Sequence, residues 1–325
     1  SLPLAKDYAF WMFVAALANL PAQSMNCAAR AESSVKISSI AVITGALLNV
    51  VLDPVFMFDW GLGMGVEGAS LATTISQGAS VALCLIRLTK YETPYQLHPR
   101  LIRFHLPTLK NVIRFGLPSG VQNSVIGFAN VIVQSNINSF GKLAMAAYGA
   151  YSKLEGFAFL PVTSFTMALT TYVSQNLGAG EYDRTRKGAR FGLWSAIILA
   201  ELIAVVTFFG APVLVGAFTQ EPEAIAFGVA KCRICAPFFC LLAASHGFAS
   251  ILRGAGKSVI PMVAMLTFWC VVRVAFLSIM VPITQSINTV NWVYPLTWFC
   301  STVFLLIYYL KADWIHAFER EKHKA

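Results

Sequence analysis

The sequence predicts an all-α membrane protein, and three observations carry that reading. Apolar residues fall into nine stretches, each long enough to cross a bilayer. Charged residues make up only 12% of the chain against 57% hydrophobic ones, where a soluble domain carries about 25% charge. The basic residues gather in alternate connections between the stretches. A backbone in lipid must satisfy its own hydrogen bonds, so the stretches read as helices. None shows the alternation of a barrel strand, which disfavours an outer-membrane barrel. The mean hydropathy of +0.66 fits this class.

The first three spans are expected at 9–29, 37–58 and 65–87. A basic, proline-containing connection follows, with Pro94, Pro99 and Pro107 between Arg87 and Arg114. Its later part, Leu101–Arg114, mixes aliphatic and basic residues. It reads as a segment lying flat on the membrane surface or as an ordered linker, and the two are compatible. Six spans follow, at 112–138, 143–175, 190–218, 224–252, 259–283 and 290–311. The fifth of the nine carries Pro161, which predicts a kink or break. The expected units are therefore 1–90 with three spans, a linker 91–111, and 112–325 with six spans and a basic tail.

Eighteen of the 24 Lys and Arg residues fall in alternate connections, among them Arg30, Arg103, Arg186, Arg253 and Lys322. The positive-inside rule places that side, and the carboxyl end, in the cytoplasm of a multi-pass plasma-membrane (inner-membrane) protein. The net charge of +9 is thus explained by membrane topology, and nucleic acid is not an expected partner. The chain opens Ser-Leu-Pro with no leader pattern and reads as internal to a longer protein. A repeat supports this: Arg30-Ala-Glu-Ser-Ser and Arg253-Gly-Ala-Gly-Lys each open a turn before two further spans, and internal repeats are common in transporters.

Seven cysteines lie inside the expected spans and read as small apolar residues. Cys232-x-x-Cys235 is the one redox-type spacing, and it opens a reading as a membrane thiol oxidoreductase. No phosphate loop, H-E-x-x-H or Gly-x-Ser-x-Gly motif is present, so the chain is not expected to be an enzyme and names no catalytic residues. No cofactor and no bound metal are expected, beyond Na⁺ or H⁺ as a coupling ion.

Polar groups inside spans are expensive and so mark candidate sites. Asn49 and Asp53, four apart, share one helix face, and Thr73 and Thr74 sit in the next span. A carboxylate, a carboxamide and a hydroxyl converging there make a hard oxygen site for Na⁺ or H⁺. The other reading is an Asp at the membrane edge bonded to a helix end. Asn123, Asn130, Gln134 and Asn138 form a stripe at helical spacing, with Gln122 beside it. The stripe faces either a polar cavity or a neighbouring helix. Lys153 and Glu155 are two apart, point to different faces and need separate partners. Arg233 and Arg273 are isolated cations, explained equally well by snorkelling. Glu201 is a lone acid, and His246 reads as a satisfied buried histidine.

Several motifs together resemble the multidrug and toxic compound extrusion (MATE) transporters. They are Leu48-Asn-Val-Val-Leu-Asp53-Pro, Leu62-Gly-Met-Gly-Val-Glu-Gly68, the following Ala69–Gln77, Phe115-Gly-Leu-Pro-Ser119, Ser174-Gln-Asn-Leu-Gly-Ala-Gly180 and Leu252-Arg-Gly-Ala-Gly256. The resemblance implies a bundle of two six-helix lobes, of which this chain holds the family's fourth to twelfth helices. It implies export of drugs or cationic and amphipathic metabolites by Na⁺ or H⁺ antiport, through alternating access. It matches Asn49 and Asp53 to the family's fifth-helix cation pair and Thr73 to its sixth-helix threonine, with Thr74 next. The expected substrate-cavity residues are Gln122, Asn123, Asn130 and Gln134 of the polar stripe, with Lys153 and Glu155, which look like the family's charged eighth-helix positions. Some members carry cation-binding acids in the carboxyl lobe; the corresponding spans here have none. Asp53 pairs with Phe276 in the repeat, so the amino-lobe site is not duplicated.

A related flippase for lipid-linked saccharides is the alternative. It requires a larger and more cationic cavity, whereas the Asn and Gln stripe predicts a neutral polar one. The expected partners are membrane lipid and a small-molecule substrate, in a monomer.

Overall fold

The computed structural model describes residues 6, 10, 11, 13, 16, 19, 20, 23–28, 35–90, 96–101 and 103–316. Among these there is no strand. The first expected span is described only in part, and Arg30 and the tail residues Arg320, Lys322 and Lys324 lie outside the described residues. The chain separates into two compact units, Ser1–Phe104 and His105–Ala325.

In the first unit, α1 (Val35–Met57) packs along α2 (Val66–Lys90). The Leu62–Gly68 motif makes the connection between them. Leu62 N–H donates to the Val55 carbonyl at 2.9 Å and Met64 N–H to that of Phe56 at 2.9 Å, closing the turn onto the end of α1. Gly68 is needed here: a Cβ would lie 2.6 Å from the Phe56 carbonyl oxygen. Small buried residues on α2, Ser70, Ala72, Ser76 and Ser80, let the two helices approach. Large apolar side chains such as Leu47, Val50 and Val51 are exposed, as suits a lipid-facing surface. Buried Asn26 ties the unit together, donating to Ser80 Oγ at 3.5 Å and accepting from Ser38 Oγ at 3.3 Å.

The second unit contains α3 (Leu106–Asn138), α4 (Lys142–Gly178) and α5 (Tyr182–Gly216). Then α6 (Pro222–Cys235) and α7 (Phe239–Gly254) are joined by a 3₁₀ turn at Ala236–Phe238, where Pro237 interrupts the helical ladder. Next, α8 (Val259–Met265) leads through a π-helical segment, Leu266–Val272, into α9 (Arg273–Thr284), and α10 (Ile287–Lys311) closes the unit. The buried side of α5 is mostly alanine: Ala189, Ala196, Ala200, Ala204 and Ala211 recur there at helical spacing, with the small polar Thr185 and Thr207 on the same side, and Phe191, Trp194, Ile198, Leu202 and Phe209 cover the outer side. Small residues inside and large ones outside are what close helix packing in lipid requires.

The motif at the end of α7 has a packing reason. Thr170 Oγ1 on α4 donates to the Ser250 carbonyl at 3.2 Å. A Cβ at Gly254 would sit 2.7 Å from the Thr170 carbonyl oxygen, so only glycine allows this approach. The Ser174–Gly180 motif caps the α4–α5 hairpin: the Asn176 side-chain oxygen accepts from Arg184 Nε, and Asn176 Nδ2 donates to the Tyr172 carbonyl at 2.7 Å.

Two expectations change. Residues 106–114 are the first turns of α3, which runs unbroken to Asn138, so the surface-lying segment is absent and the helix starts before the expected linker end. Continuation costs nothing there, because Pro107 occupies the first turn, where its missing N–H has no partner to lose. The helix also passes through Pro161 without a break; the Thr163 and Ser164 hydroxyls bond the Leu160 carbonyl at 2.8 and 3.0 Å just beyond it. Seven of the nine expected spans coincide with helices among the described residues that are long and apolar enough to cross a membrane. At 33 residues α3 is long enough, but its amide stripe and basic start make it less apolar than those seven.

Candidate functional site

Two polar constellations stand out, one in each unit. In the first unit, Asn49 Nδ2 lies 3.0 Å from Asp53 Oδ1 and 3.4 Å from Thr73 Oγ1. One turn of α1 brings the carboxamide over the carboxylate, and the α1–α2 packing brings in the threonine. Thr73 Oγ1 donates its proton to the Ala69 carbonyl at 2.9 Å, so its lone pairs face Asn49. The Thr74 hydroxyl points back to the Ser70 carbonyl at 2.9 Å and takes no part. The three residues are half-buried. Both bonds from Asn49 use its nitrogen. The Asn49 carbonyl oxygen and the second Asp53 oxygen remain as hard donors of the kind Na⁺ selects.

In the second unit, α3, α4, α6, α7, the π segment, α9 and α10 enclose a cavity of about 500 Å³. That is the size of a pocket for a small organic molecule. Gln122, Asn123, Asn130 and Gln134 line it from α3, and Glu155 lines it from α4. Asn138 sits at the end of the stripe, where it accepts from Gln134 Nε2 at 2.9 Å. Lys153 is not among the lining residues. It is exposed, with Nζ 5.9 Å from the centre of the Phe218 ring, because two positions along a helix turn it away from Glu155.

The neutral polar lining expected from the amide stripe is overturned. Lys231, Arg253 and Arg273 all line the cavity, against the single carboxylate of Glu155. Lys231 is 2% exposed and Arg273 is 1% exposed. Lys231 Nζ sits in an aromatic cage, 3.8 Å from the ring centre of Tyr148, 4.2 Å from Tyr151 and 4.5 Å from Tyr294. Each such contact is worth about 2 kcal/mol or more once water is excluded, which makes a buried ammonium tolerable. Tyr148 is fixed by its hydroxyl, which donates to Asn291 Oδ1.

Arg273 shares the Tyr294 ring, with its guanidinium carbon 4.8 Å from the centre, and lies 5.1 Å from that of Trp269. Its Nη2 donates to Thr297 Oγ1 at 3.1 Å and its Nη1 to Asn130 Oδ1 at 3.4 Å. The π segment ends immediately before Arg273. A π turn takes an extra residue and so alters which face the following residues present; such turns recur at functional sites. Arg273 therefore does not snorkel, whereas Arg233 on α6 is exposed. His246 is packed edge-on between Phe159 and Trp269, at 5.1 and 5.3 Å between ring centres. Cys232 and Cys235 are buried free thiols, and Cys235 Sγ approaches the Asn291 carbonyl at 3.8 Å. Among the described residues, no group of His, Cys, Asp and Glu is arranged to hold a metal ion.

The sequence analysis missed Lys231 altogether and did not place Arg253 or Arg273 in the cavity. The one signal for Lys231 was a second cation, beside Arg233, inside a mostly apolar stretch.

Comparison with known proteins places this architecture. The MatE family model matches residues 118–279. The chain is 28% identical over 270 residues to "Probable multidrug resistance protein YpnP" of Bacillus subtilis, covering 82% of this chain and 60% of that protein. It is 24% identical over 230 residues to the FAD transporter of Shewanella oneidensis, covering 69% and 50%. A solved MOP superfamily transporter from Pyrococcus furiosus, whose title describes reverse polarity of its binding pocket, superposes with a TM-score of 0.87. The match has 21% identity and covers 98% of this chain and 71% of that one. The chain spans about half the length of the curated relatives it matches. With the helix order, the motifs and these matches in agreement, the chain belongs to the MATE family of multi-pass membrane transporters.

Proposed function

We propose that the chain forms the substrate-binding and ion-coupling parts of an antiporter that exports amphipathic small molecules by alternating access. The observation that carries this reading is the cavity of about 500 Å³ walled by membrane helices, with amides on one side and aromatic rings on the other. It suits a ligand with an apolar body and a polar group. The Asn49–Asp53–Thr73 cluster supplies the oxygen donors for the coupling Na⁺ or H⁺. A carboxylate is the natural exchanger, since it holds either ion and releases it when its surroundings change. The basic connections then face the cytoplasm of the plasma membrane, with the carboxyl end on the same side.

A flippase for an acidic, lipid-linked saccharide is the second reading. The three basic residues of the cavity favour it; the modest volume does not. The buried thiols Cys232 and Cys235 give a redox reading no support.

The test is flux into vesicles containing the full-length protein, driven by an imposed Na⁺ or H⁺ gradient. Two probes with one aromatic body are used, naphthalene sulfonate and naphthylmethylammonium. Gradient-dependent flux of either, abolished by Asp53→Asn, is expected. No gradient-dependent flux of either probe contradicts the proposal.

A further inference from the structure

The cavity's charge points to the chemistry of what it binds. The inference rests on the reading of this cavity as the substrate site, and it goes further by naming the substrate class. Two basic side chains, Lys231 and Arg273, lie within 5 Å of the centre of one ring, that of Tyr294, at 4.5 and 4.8 Å. Both are almost completely buried. Like charges so placed repel strongly where water is excluded. Arg253 adds a third at the cavity wall, and no ion pair closes on any of the three among the described residues. Glu155 is the only acid in the lining; it accepts from Tyr151 Oη at 3.5 Å.

Hydrogen bonding gives an independent argument. Eight buried side-chain polar atoms lack a partner among the described residues, and five of them belong to residues lining this cavity. Three of the five are N–H groups with no capacity to accept: Arg253 Nε, Arg273 Nε and Trp298 Nε1. An unmet buried donor is costly, and a guanidinium edge is shaped for a planar or tetrahedral oxyanion. The cavity therefore presents spare donors and positive charge together. Phe159, Trp269, Tyr294 and Trp298 supply the apolar wall.

We propose that this cavity selects an amphipathic organic anion, an aromatic or apolar body bearing a carboxylate, sulfonate or phosphate, with Arg273 meeting the anionic group. A cationic guest of the same shape meets three like charges and one carboxylate. The aromatic cage that a cation would use is already filled by Lys231.

Equilibrium dialysis with protein-loaded and empty phosphatidylcholine nanodiscs, at zero ion gradient, tests this with the same two probes. Naphthalene sulfonate should bind at least roughly ten-fold tighter than naphthylmethylammonium, as one charge-assisted contact allows. Arg273→Gln should remove that preference, Arg273→Lys should retain part of it, and Arg233→Gln, on the exposed face of α6, should leave it intact. Equal or tighter binding of the ammonium by the unaltered protein overturns the proposal, whether or not any variant folds. So does a folded Arg273→Gln variant that keeps the preference. Nanodiscs containing phosphatidylglycerol separate the two sources of such an anion. Displacement of the sulfonate by that lipid assigns the site to an acidic headgroup, and undiminished binding assigns it to a soluble anion. Sulfonate binding without gradient-driven flux would sink the exporter reading alone. Gradient-driven flux of the ammonium without sulfonate binding would sink the anion inference alone.

Discussion

The α1–α2 cluster and the cavity of the second unit solve opposite problems. In the first, one carboxylate sits among neutral oxygen donors, and Asn49 is bonded to both of its neighbours. In the second, basic groups and unmet N–H donors surround a void. The first suits a small cation that comes and goes; the second suits a larger guest carrying negative charge. Opposite polarity keeps the two sites from competing for one ligand by electrostatics alone.

The largest expected effect comes from removing the charge of the first site. Asp53→Asn should reduce gradient-driven flux to the level of empty vesicles while leaving sulfonate binding at zero gradient unchanged within about two-fold. A loss of binding as large as the loss of flux would merge the two sites that the comparison separates.

Next is the packing that holds the second site. Gly254→Ala forces a Cβ to 2.7 Å from the Thr170 carbonyl oxygen and 2.9 Å from Val173 Cβ, so α7 and α4 must move apart. Overpacking of this kind costs about 1–3 kcal/mol, read as a lower thermal midpoint in detergent. Gly116→Ala, where a Cβ meets nothing within 4 Å, is the matched control and should not lower it.

A smaller effect sharpens the first site. Thr73→Val removes the oxygen bonded to Asn49, whereas Thr74→Val removes one that bonds only the Ser70 carbonyl. The first should weaken dependence on the coupling ion by roughly three- to ten-fold, as loss of one neutral ligand does. The second should leave it unchanged. The smallest effect is expected at Lys153, which is exposed outside the cavity. Lys153→Gln should shift sulfonate affinity by less than about two-fold, since an exposed charge acts weakly through water.

Helical spacing explains which parts of this arrangement are readable from sequence. Asn49 and Asp53 stand four apart, and the α3 amides seven and four apart, so a shared face follows from the period alone. The Lys231 cage does not follow. Its rings come from Tyr148 and Tyr151 on α4 and Tyr294 on α10, far away in the chain, and only packing brings them together. Arg273 looked like any isolated cation in a span for the same reason, since Asn130 and Thr297 lie on other helices. The π segment before it was equally hidden, because π turns have no strong residue signature. The amide stripe was legible, but its neutrality suggested the wrong cavity, whose charge is set by α6, α7 and α9.

The central claim is that charge of one sign is handled in each unit. Parallel measurement of sulfonate binding and gradient-driven sulfonate flux in Asp53→Asn and Arg273→Gln tests it most directly. The account predicts that Asp53→Asn keeps binding and loses flux, while Arg273→Gln loses both. Loss of binding in Asp53→Asn with retention in Arg273→Gln would contradict it.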